Sequence, residues 1–458
     1  MARANIPAAE KTLHGWGRTH SATCQVFRPV GLDELRDAHE RCRQRGWTIG
    51  GRGHGCSYGD AATNHAGAVI DLTALDRIHS IDRSANLVTV EPGVAIGALV
   101  DKLLPDNLTV GAVPGGPQTT VGGLVSVNAH GKDSHAHGNF ANSVEALKLL
   151  TAGGETITAD RATNPDLFAA AVGGFGLLGL IVEVTLRVKR VPGPYVDVAY
   201  VPFSGFAALE ELFRARAGDA GMSLAVLDAF SDGPRGYVEF ANWTEEADGA
   251  VWRPVTARRP SLFGLPPNAP AYAVARALMS RPTMRLHNRV RFGGARSAAT
   301  RRVLAFPYFN FPVIGVPEHA RIFPGGCYEI QVFVPEDVAF AFFAGLHDRC
   351  RAARFESWLY SIKRHTSDAH PLSFAGDGYS ISLDLPGRTV RTPAFRDFFA
   401  ALSRETVAAG GRFNLSKDHL LDRDTFHSMY PRRDELEALK RTLDPDGLYT
   451  NDIYRRLF

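Results

Sequence analysis

Residues 111–140 constrain this chain more than any other stretch, because glycines cluster there around two threonines. Glycine pairs stand at 115–116 and 122–123, on either side of Thr119 and Thr120. A glycine has no Cβ, so its backbone N–H can approach a ligand closely, and several in succession form a concave anion site. The stretch therefore predicts a cradle for a pyrophosphate. A glycine-rich surface turn is the alternative that the stretch alone leaves open.

A second glycine-rich segment, residues 174–179, matches the dinucleotide fingerprint GxGxxG but stands in the wrong structural order. That fingerprint follows a strand and opens a helix. Here the helical sequence DLFAAA precedes the glycines and the strand-like LIVEVTLRV follows them. We therefore predict no Rossmann domain, although these glycines could still line a cofactor.

The chain has 458 residues, a length that predicts two domains. Short α and β elements alternate up to the Pro/Gly-rich stretch at 191–203, which marks a boundary. Beyond it, strands such as CYEIQVFVP and helices such as DVAFAFFAGL predict an antiparallel sheet with helices on one face. The fold class expected is α+β.

The composition of the chain limits the classes of protein to which it can belong. The chain is 22% charged and 45% hydrophobic, as expected of a soluble globular protein. Its N-terminus has no apolar signal segment, and its apolar runs are too short to span a bilayer. Five cysteines without metal-ligand spacing indicate reduced thiols and a cytoplasmic location. We expect no metal and no nucleic-acid partner.

Residues 249–317 have an unusual charge distribution, because they contain eleven arginines and no acidic residue. The segment also contains apolar residues, among them Leu262, Phe263, Leu265, Tyr272 and Phe309. A solvated basic loop whose arginines pair with acids elsewhere is one interpretation. The alternative is peripheral contact with an anionic membrane, on the inner face if the protein is cytoplasmic.

Three motifs together resemble the FAD domain of the vanillyl-alcohol oxidase/p-cresol methylhydroxylase (PCMH) superfamily. They are GRGHGCSYGD (51–60), VPGGPQTTVGGLVSVNAHGKDSHAHGNF (113–140) and GGFGLLGLIVEV (173–184). Flanking motifs, such as GWGRT and SIKRH, are similar to the subfamily of decaprenylphosphoryl-ribose oxidases. The resemblance implies a PCMH-type FAD-binding domain at 1–194, an inserted substrate domain at 195–409 and a C-terminal return to the FAD domain at 410–458.

The resemblance also implies a set of residues around the cofactor. The expected FAD contacts are Arg52, Gly53, His54, Gly55, Cys56, Ser57, Tyr58, Gly115, Thr120, Gly122, Gly123, His130, Gly131, Gly179, Ile181, Asn414 and Lys417. The family's frequent covalent attachment point is a histidine directly before the Ser-Tyr pair. Cys56 occupies that place here, so we expect non-covalent FAD, with a cysteinyl link as the minor alternative.

Oxidation of an alcohol removes a hydride, taken by the flavin, and a hydroxyl proton. Lys417 matches the family lysine that contacts flavin and substrate, and a cation there would stabilise the reduced flavin. Lys132 and Lys363 are candidate ligands of a substrate phosphate, and His130 is a candidate to accept or share the hydroxyl proton. Tyr58 and Gln331 match substrate-pocket positions.

Two functions remain open at this stage. The first is oxidation of a sugar's secondary alcohol, expected at C2 of a polyprenylphosphoryl pentose, with an NAD(P)-dependent ketoreductase completing an epimerisation. The second is a soluble sugar, polyol or aldonolactone oxidase that uses oxygen. Ser380 and Ser382 depart from the subfamily's Asn and Cys, and Asn414 from its tyrosine. These departures concern the identity of the substrate more than the reaction.

Overall fold

A computed structural model describes residues 6–216, 218–293 and 299–458. The strands of the described part are β1 (Ala9–His14), β2 (Ser21–Phe27), β3 (Ile49–Arg52), β4 (Ala68–Asp71), β5 (Ile78–Asp82), β6 (Leu87–Val90), β7 (Leu108–Thr109), β8 (Val144–Leu150), β9 (Thr156–Asp160), β10 (Leu180–Arg187), β11 (Lys189–Arg190), β12 (Tyr195–Ser204), β13 (Met222–Asp228), β14 (Arg235–Thr244), β15 (Thr300–Ala305), β16 (Cys327–Pro335), β17 (Tyr360–His365), β18 (Gly378–Pro386) and β19 (Arg412–Phe413). Its α-helices are α1 (Leu32–Arg45), α2 (Ile96–Leu103), α3 (Val121–Ser126), α4 (Ser134–His137), α5 (Pro165–Ala171), α6 (Phe206–Ala215), α7 (Ala269–Leu278), α8 (Arg281–Phe292), α9 (Phe306–Asn310), α10 (Ala339–Ala352), α11 (Gly387–Val390), α12 (Pro393–Ala408), α13 (Arg423–Met429), α14 (Arg433–Leu443) and α15 (Asp452–Leu457).

Two sheets form the N-terminal part of the chain. The first is mixed, with strand order β1-β2-β4-β3 and parallel pairing of β2 and β3 with β4. The second is antiparallel, with order β5-β6-β10-β8-β9. Helix α5 precedes the glycines of 174–179 and strand β10 follows them, so this segment opens no helix, as the sequence predicted. The mixture of small sheets and helices confirms the predicted α+β fold class.

A third sheet of eight strands provides the framework for the site. Its order is β15-β12-β14-β13-β17-β18-β16-β19, and every neighbouring pair is antiparallel. In the central strands the side chains alternate between apolar and polar, and successive side chains point to opposite faces. On the apolar face, Tyr379 packs against Phe213 of α6 and Phe340 of α10, with ring centroids 5.2 and 4.9 Å apart. The opposite, polar face is buried on β16 and β18 and partly buried on β17.

The C-terminal residues join the N-terminal sheets to the third sheet. β19 pairs with β16, while Tyr449 forms a parallel bridge with Ile49 of the first sheet. The Tyr449 hydroxyl donates to the Leu150 carbonyl of the second sheet at 2.7 Å. The proposed domain limits at residues 194 and 409 stay a prediction.

Within the described part of 249–317, the apolar residues differ in exposure. Leu262, Tyr272 and Phe309 are buried, so the expectation that they enter a membrane is wrong; they pack into the core instead. Phe263 and Leu265 are exposed. Four further apolar residues are exposed on the two surface helices: Val274 and Leu278 on α7, and Leu286 and Val290 on α8.

The arginines of this segment differ in whether they form an ion pair. Arg281 pairs with the buried Glu356, and Arg301 pairs with Asp197. Arg285 and Arg289 are exposed and make no ion pair among the described residues. Arg296 lies outside the described residues. In the part of the chain that the structure describes, no helix is both long and apolar enough to cross a bilayer.

Candidate active site

A large cavity lies between the glycine-rich segments and the polar face of the eight-stranded sheet. The predicted cofactor residues that line it are Arg52, Gly53, His54, Gly55, Cys56, Ser57, Gly115, Thr120, Gly122, Gly123, His130, Gly131, Gly179, Ile181, Asn414 and Lys417. The predicted substrate residues Lys132 and Lys363 line it as well. Segments far apart in sequence therefore meet around one space. Tyr58 and Gln331 do not line the cavity but contact residues that do.

The turn after β3 is built to receive an anion. Within the described residues, the backbone N–H groups of residues 54–57 and of Gly115 donate no hydrogen bond, although these residues line the cavity. A Cβ on Gly53 would lie 2.1 Å from the Thr120 hydroxyl oxygen, so only glycine fits where the two segments cross. Unpaired N–H groups of this kind suit the pyrophosphate of FAD. The residues present therefore fit the cofactor.

The Arg52 side chain holds this turn in place by hydrogen bonds to two backbone carbonyls. Its guanidinium donates to the carbonyls of Ala62 and His14, at 2.8 and 2.9 Å. Gly55 has φ of 66°, and a Cβ there would lie 2.0 Å from the Arg52 side chain. The arginine and the glycine thus fix the path of the backbone along the cavity.

Cys56 shows no sign of a reactive thiol. Burial raises its pKa to about 11, so the thiol stays protonated at neutral pH. Because the thiolate is the reactive form of cysteine, this environment disfavours a cysteinyl flavin link.

Tyr58 lies behind the cavity wall in a buried cluster. Trp16 donates its indole N–H to Nδ1 of His319 at 2.9 Å, and Nε2 of His319 lies 2.8 Å from the Tyr58 hydroxyl. The Lys417 ammonium lies 4.1 Å from the centre of the Tyr58 ring. Tyr58 therefore contacts Lys417 with its ring face and anchors its hydroxyl away from the cavity.

The three predicted lysines differ in their partners. Lys132 pairs with Glu239 at 2.8 Å and also donates to the Phe309 carbonyl, so its charge is already neutralised. Lys417 pairs with Glu329 at 2.9 Å. Lys363 makes no ion pair among the described residues, and burial lowers its pKa to about 8. Of the three, Lys363 is the cation left for an anionic substrate group.

His130 stays neutral in this environment. Burial, and then the charge of Lys363, hold its pKa well below the usual range. Gln331 contacts its Nε2 atom at 3.0 Å, while its Nδ1 atom is buried without a partner among the described residues.

The sequence analysis did not single out Glu329, which lines the cavity beside Lys417. Its signal was present in the two-residue alternation of CYEIQVFVP, where Glu329 and Gln331 share one face of β16. The cross-strand neighbours continue that polar face, since Gln331 lies opposite Ser382 and Lys363 lies opposite Ser380. Buried polar residues on one face of adjacent strands mark the wall of a site.

Comparison with known proteins agrees with this geometry. A profile described as FAD binding domain matches residues 24–160, and one described as D-arabinono-1,4-lactone oxidase matches residues 371–457. Decaprenylphosphoryl-beta-D-ribose oxidase of Mycolicibacterium smegmatis is 32% identical over 469 aligned positions, covering 100% of this chain and 99% of that protein.

Two lactone enzymes match only part of the chain. Mitochondrial L-galactono-1,4-lactone dehydrogenase 1 of Oryza sativa is 32% identical over 40% of this chain and 31% of its own length. L-gulonolactone oxidase of Bos taurus is 30% identical over 38% of this chain and 40% of its own length.

Proposed function

The chain belongs to the PCMH-type family of FAD-dependent oxidases that includes decaprenylphosphoryl-beta-D-ribose oxidase, and from this premise we propose its substrate. We propose that it oxidises a sugar's secondary alcohol to a ketone, at C2 of a polyprenylphosphoryl pentose. The ketone is the first half of an epimerisation. A separate NAD(P)-dependent ketoreductase would complete the second half.

When bound, FAD supplies the acceptor for the hydride of the alcohol carbon. In this chain, the amides of residues 54–57 would hold its pyrophosphate. Lys417 lines the same cavity, held by Glu329, and its charge would stabilise the anionic reduced cofactor. The polar face of β16, β17 and β18 would present hydrogen-bonding groups to the sugar hydroxyls.

Lys363 is the observation that carries the choice of substrate. Lys132 and Lys417 each have a carboxylate partner, whereas Lys363 lines the cavity without one among the described residues. An unpaired buried cation is costly unless an anion joins it. A phosphate on the substrate supplies that anion, and a neutral polyol or aldonolactone does not.

Oxidation of a soluble aldonolactone, sugar or polyol with oxygen is the second candidate. It is favoured by the match of residues 371–457 to D-arabinono-1,4-lactone oxidase. That match covers only the C-terminal part of the chain, whereas the ribose oxidase aligns from end to end.

A lipid-linked substrate also calls for access to a membrane, and the segment 249–317 fits that need. Asn310 and Pro312 of this segment form part of the cavity wall, and Lys132 donates to the Phe309 carbonyl. The same segment carries the exposed residues of α7 and α8 at the surface. We therefore propose peripheral contact with an anionic membrane through these helices.

The test is anaerobic bleaching of the bound flavin. Polyprenylphosphoryl pentoses should bleach it, and the same pentose without phosphate should do so only at far higher concentration. Free polyols and aldonolactones form the comparison panel. Faster bleaching by an aldonolactone or polyol than by any phosphorylated pentose would reject the proposal in favour of the second candidate.

A further inference from the structure

A chain of hydrogen bonds behind the cavity determines which ring nitrogen of His130 carries the proton. The backbone N–H of Ser416 donates to Oδ1 of Asn414 at 3.0 Å, which identifies that atom as the amide oxygen. The Asn414 amide nitrogen then donates to Oε1 of Gln331 at 2.7 Å. Oε1 also lies 3.2 Å from Nε2 of His130, but Asn414 already donates to it, and the Gln331 amide nitrogen is closer, at 3.0 Å, so that nitrogen donates to Nε2. Because the Ser416 backbone N–H can only donate, it fixes the orientation of the Asn414 amide. The Asn414 amide in turn fixes the orientation of the Gln331 amide.

This network assigns the tautomer of His130. Nε2 accepts a hydrogen bond, so the single proton of the neutral ring is on Nδ1. Nδ1 is buried without a partner among the described residues, and His130 lines the cavity. The Nδ1 atom has almost no accessible surface, and Nε2 already accepts from Gln331. His130 therefore has no free acceptor for a hydroxyl proton, and another cavity residue must accept it.

Glu329 has the opposite character. It is the only carboxylate among the described residues that line the cavity. Its carboxylate accepts from the Lys417 ammonium at 2.9 Å. A carboxylate offers about four acceptor positions, so this ion pair leaves acceptor positions for a substrate hydroxyl. Burial acts to raise the pKa of Glu329, but Lys417, Lys363 and Ser382 together hold it below its usual range, so the group is ionised at neutral pH.

We propose that Glu329 accepts the proton of the hydroxyl that is oxidised. This rests on the proposed alcohol oxidation. The substrate O–H bond breaks and its proton binds the Glu329 carboxylate. The carbon's hydrogen leaves as a hydride to FAD, and the electron pair of the broken O–H bond forms the C=O bond. Charge, protons and electrons balance without a further reactant.

The kinetic test uses Glu329→Gln in the FAD-loaded enzyme, with the alcohol that bleaches the wild-type flavin. Flavin reduction should slow by about 10²- to 10⁴-fold, the usual contribution of a positioned base, and Glu329→Asp should restore part of it. In the wild type the rate at saturating alcohol should be flat from pH 6 upward, because the carboxylate is already ionised. In Glu329→Gln it should rise with pH as bulk base takes over.

A matched control separates this role from a structural one. Glu239→Gln also removes the carboxylate partner of a cavity lysine, Lys132, but Glu239 does not line the cavity. That variant should keep the flat pH profile. A loss in Glu329→Gln that is the same at every pH, or no loss at full FAD content, would overturn the role of Glu329.

The tautomer is tested without any substrate. Protein labelled with ¹⁵N-histidine should show His130 protonated at Nδ1 and unprotonated at Nε2, with its signal assigned by loss in His130→Asn. Gln331→Glu places an acceptor against Nε2 and should reverse the two states. Protonation of Nε2 in the wild type would overturn this assignment. If no sugar alcohol bleaches the flavin, the proposed function fails, yet this measurement still decides the tautomer.

Discussion

At the residue scale, the charge of Lys363 predicts how substrate capture depends on pH. Burial lowers its pKa to about 8, with Lys417 and Lys132 acting in the same direction and Glu329 opposing them. The amine is charged below that value and neutral above it, so an anionic substrate is bound tightly only on the acid side. We predict that kcat/KM for a phosphorylated pentose falls as pH rises through about 8, since this ratio reports the free enzyme. Lys363→Arg should remove the fall, because guanidinium stays charged. A bleaching rate for unphosphorylated pentose that falls in the same way would contradict the assignment.

At the element scale, the glycine-rich turn could be predicted from the sequence, whereas the polar sheet face could not. The turn after β3 was recognisable because the motif GRGHGCSYGD (51–60) resembles that of the FAD domain, and it leads to a test. FAD should separate into the supernatant on acid precipitation, since the Cys56 thiol is protonated; colour in the pellet that disappears in Cys56→Ala would reveal a covalent link. Helix α1 ends at Gly46 and the hairpin of β8 and β9 turns at Gly154, where φ is 66° and 92°. Glu329 was not found, because its role depends on pairing across strands that are distant in sequence. The partners of Lys132, Glu239 and the Phe309 carbonyl, could not be predicted either, because they are also distant from it in sequence.

At the scale of the whole molecule, the proposed membrane contact predicts reversible binding to anionic vesicles. Val274, Leu278, Leu286 and Val290 are between 61% and 71% exposed, two on each of the adjacent helices α7 and α8. Exposed apolar residues on helices that also carry arginines suit a headgroup layer better than water. The protein should float with phosphatidylcholine vesicles only when these contain phosphatidylglycerol, and salt should weaken the binding. Arg285→Ser with Arg289→Ser should weaken it by up to about 30-fold, because each basic residue contributes about 1 kcal/mol. Arg281 is left unchanged in this test, since it holds the buried Glu356. Arg391, just before helix α12, and Arg404, within it, are exposed, lie outside the segment 249–317 and serve as the control. Replacing both with Ser removes the same charge and should leave flotation as it was. Equal binding to neutral vesicles, or none to either kind, would exclude this surface and favour a soluble substrate.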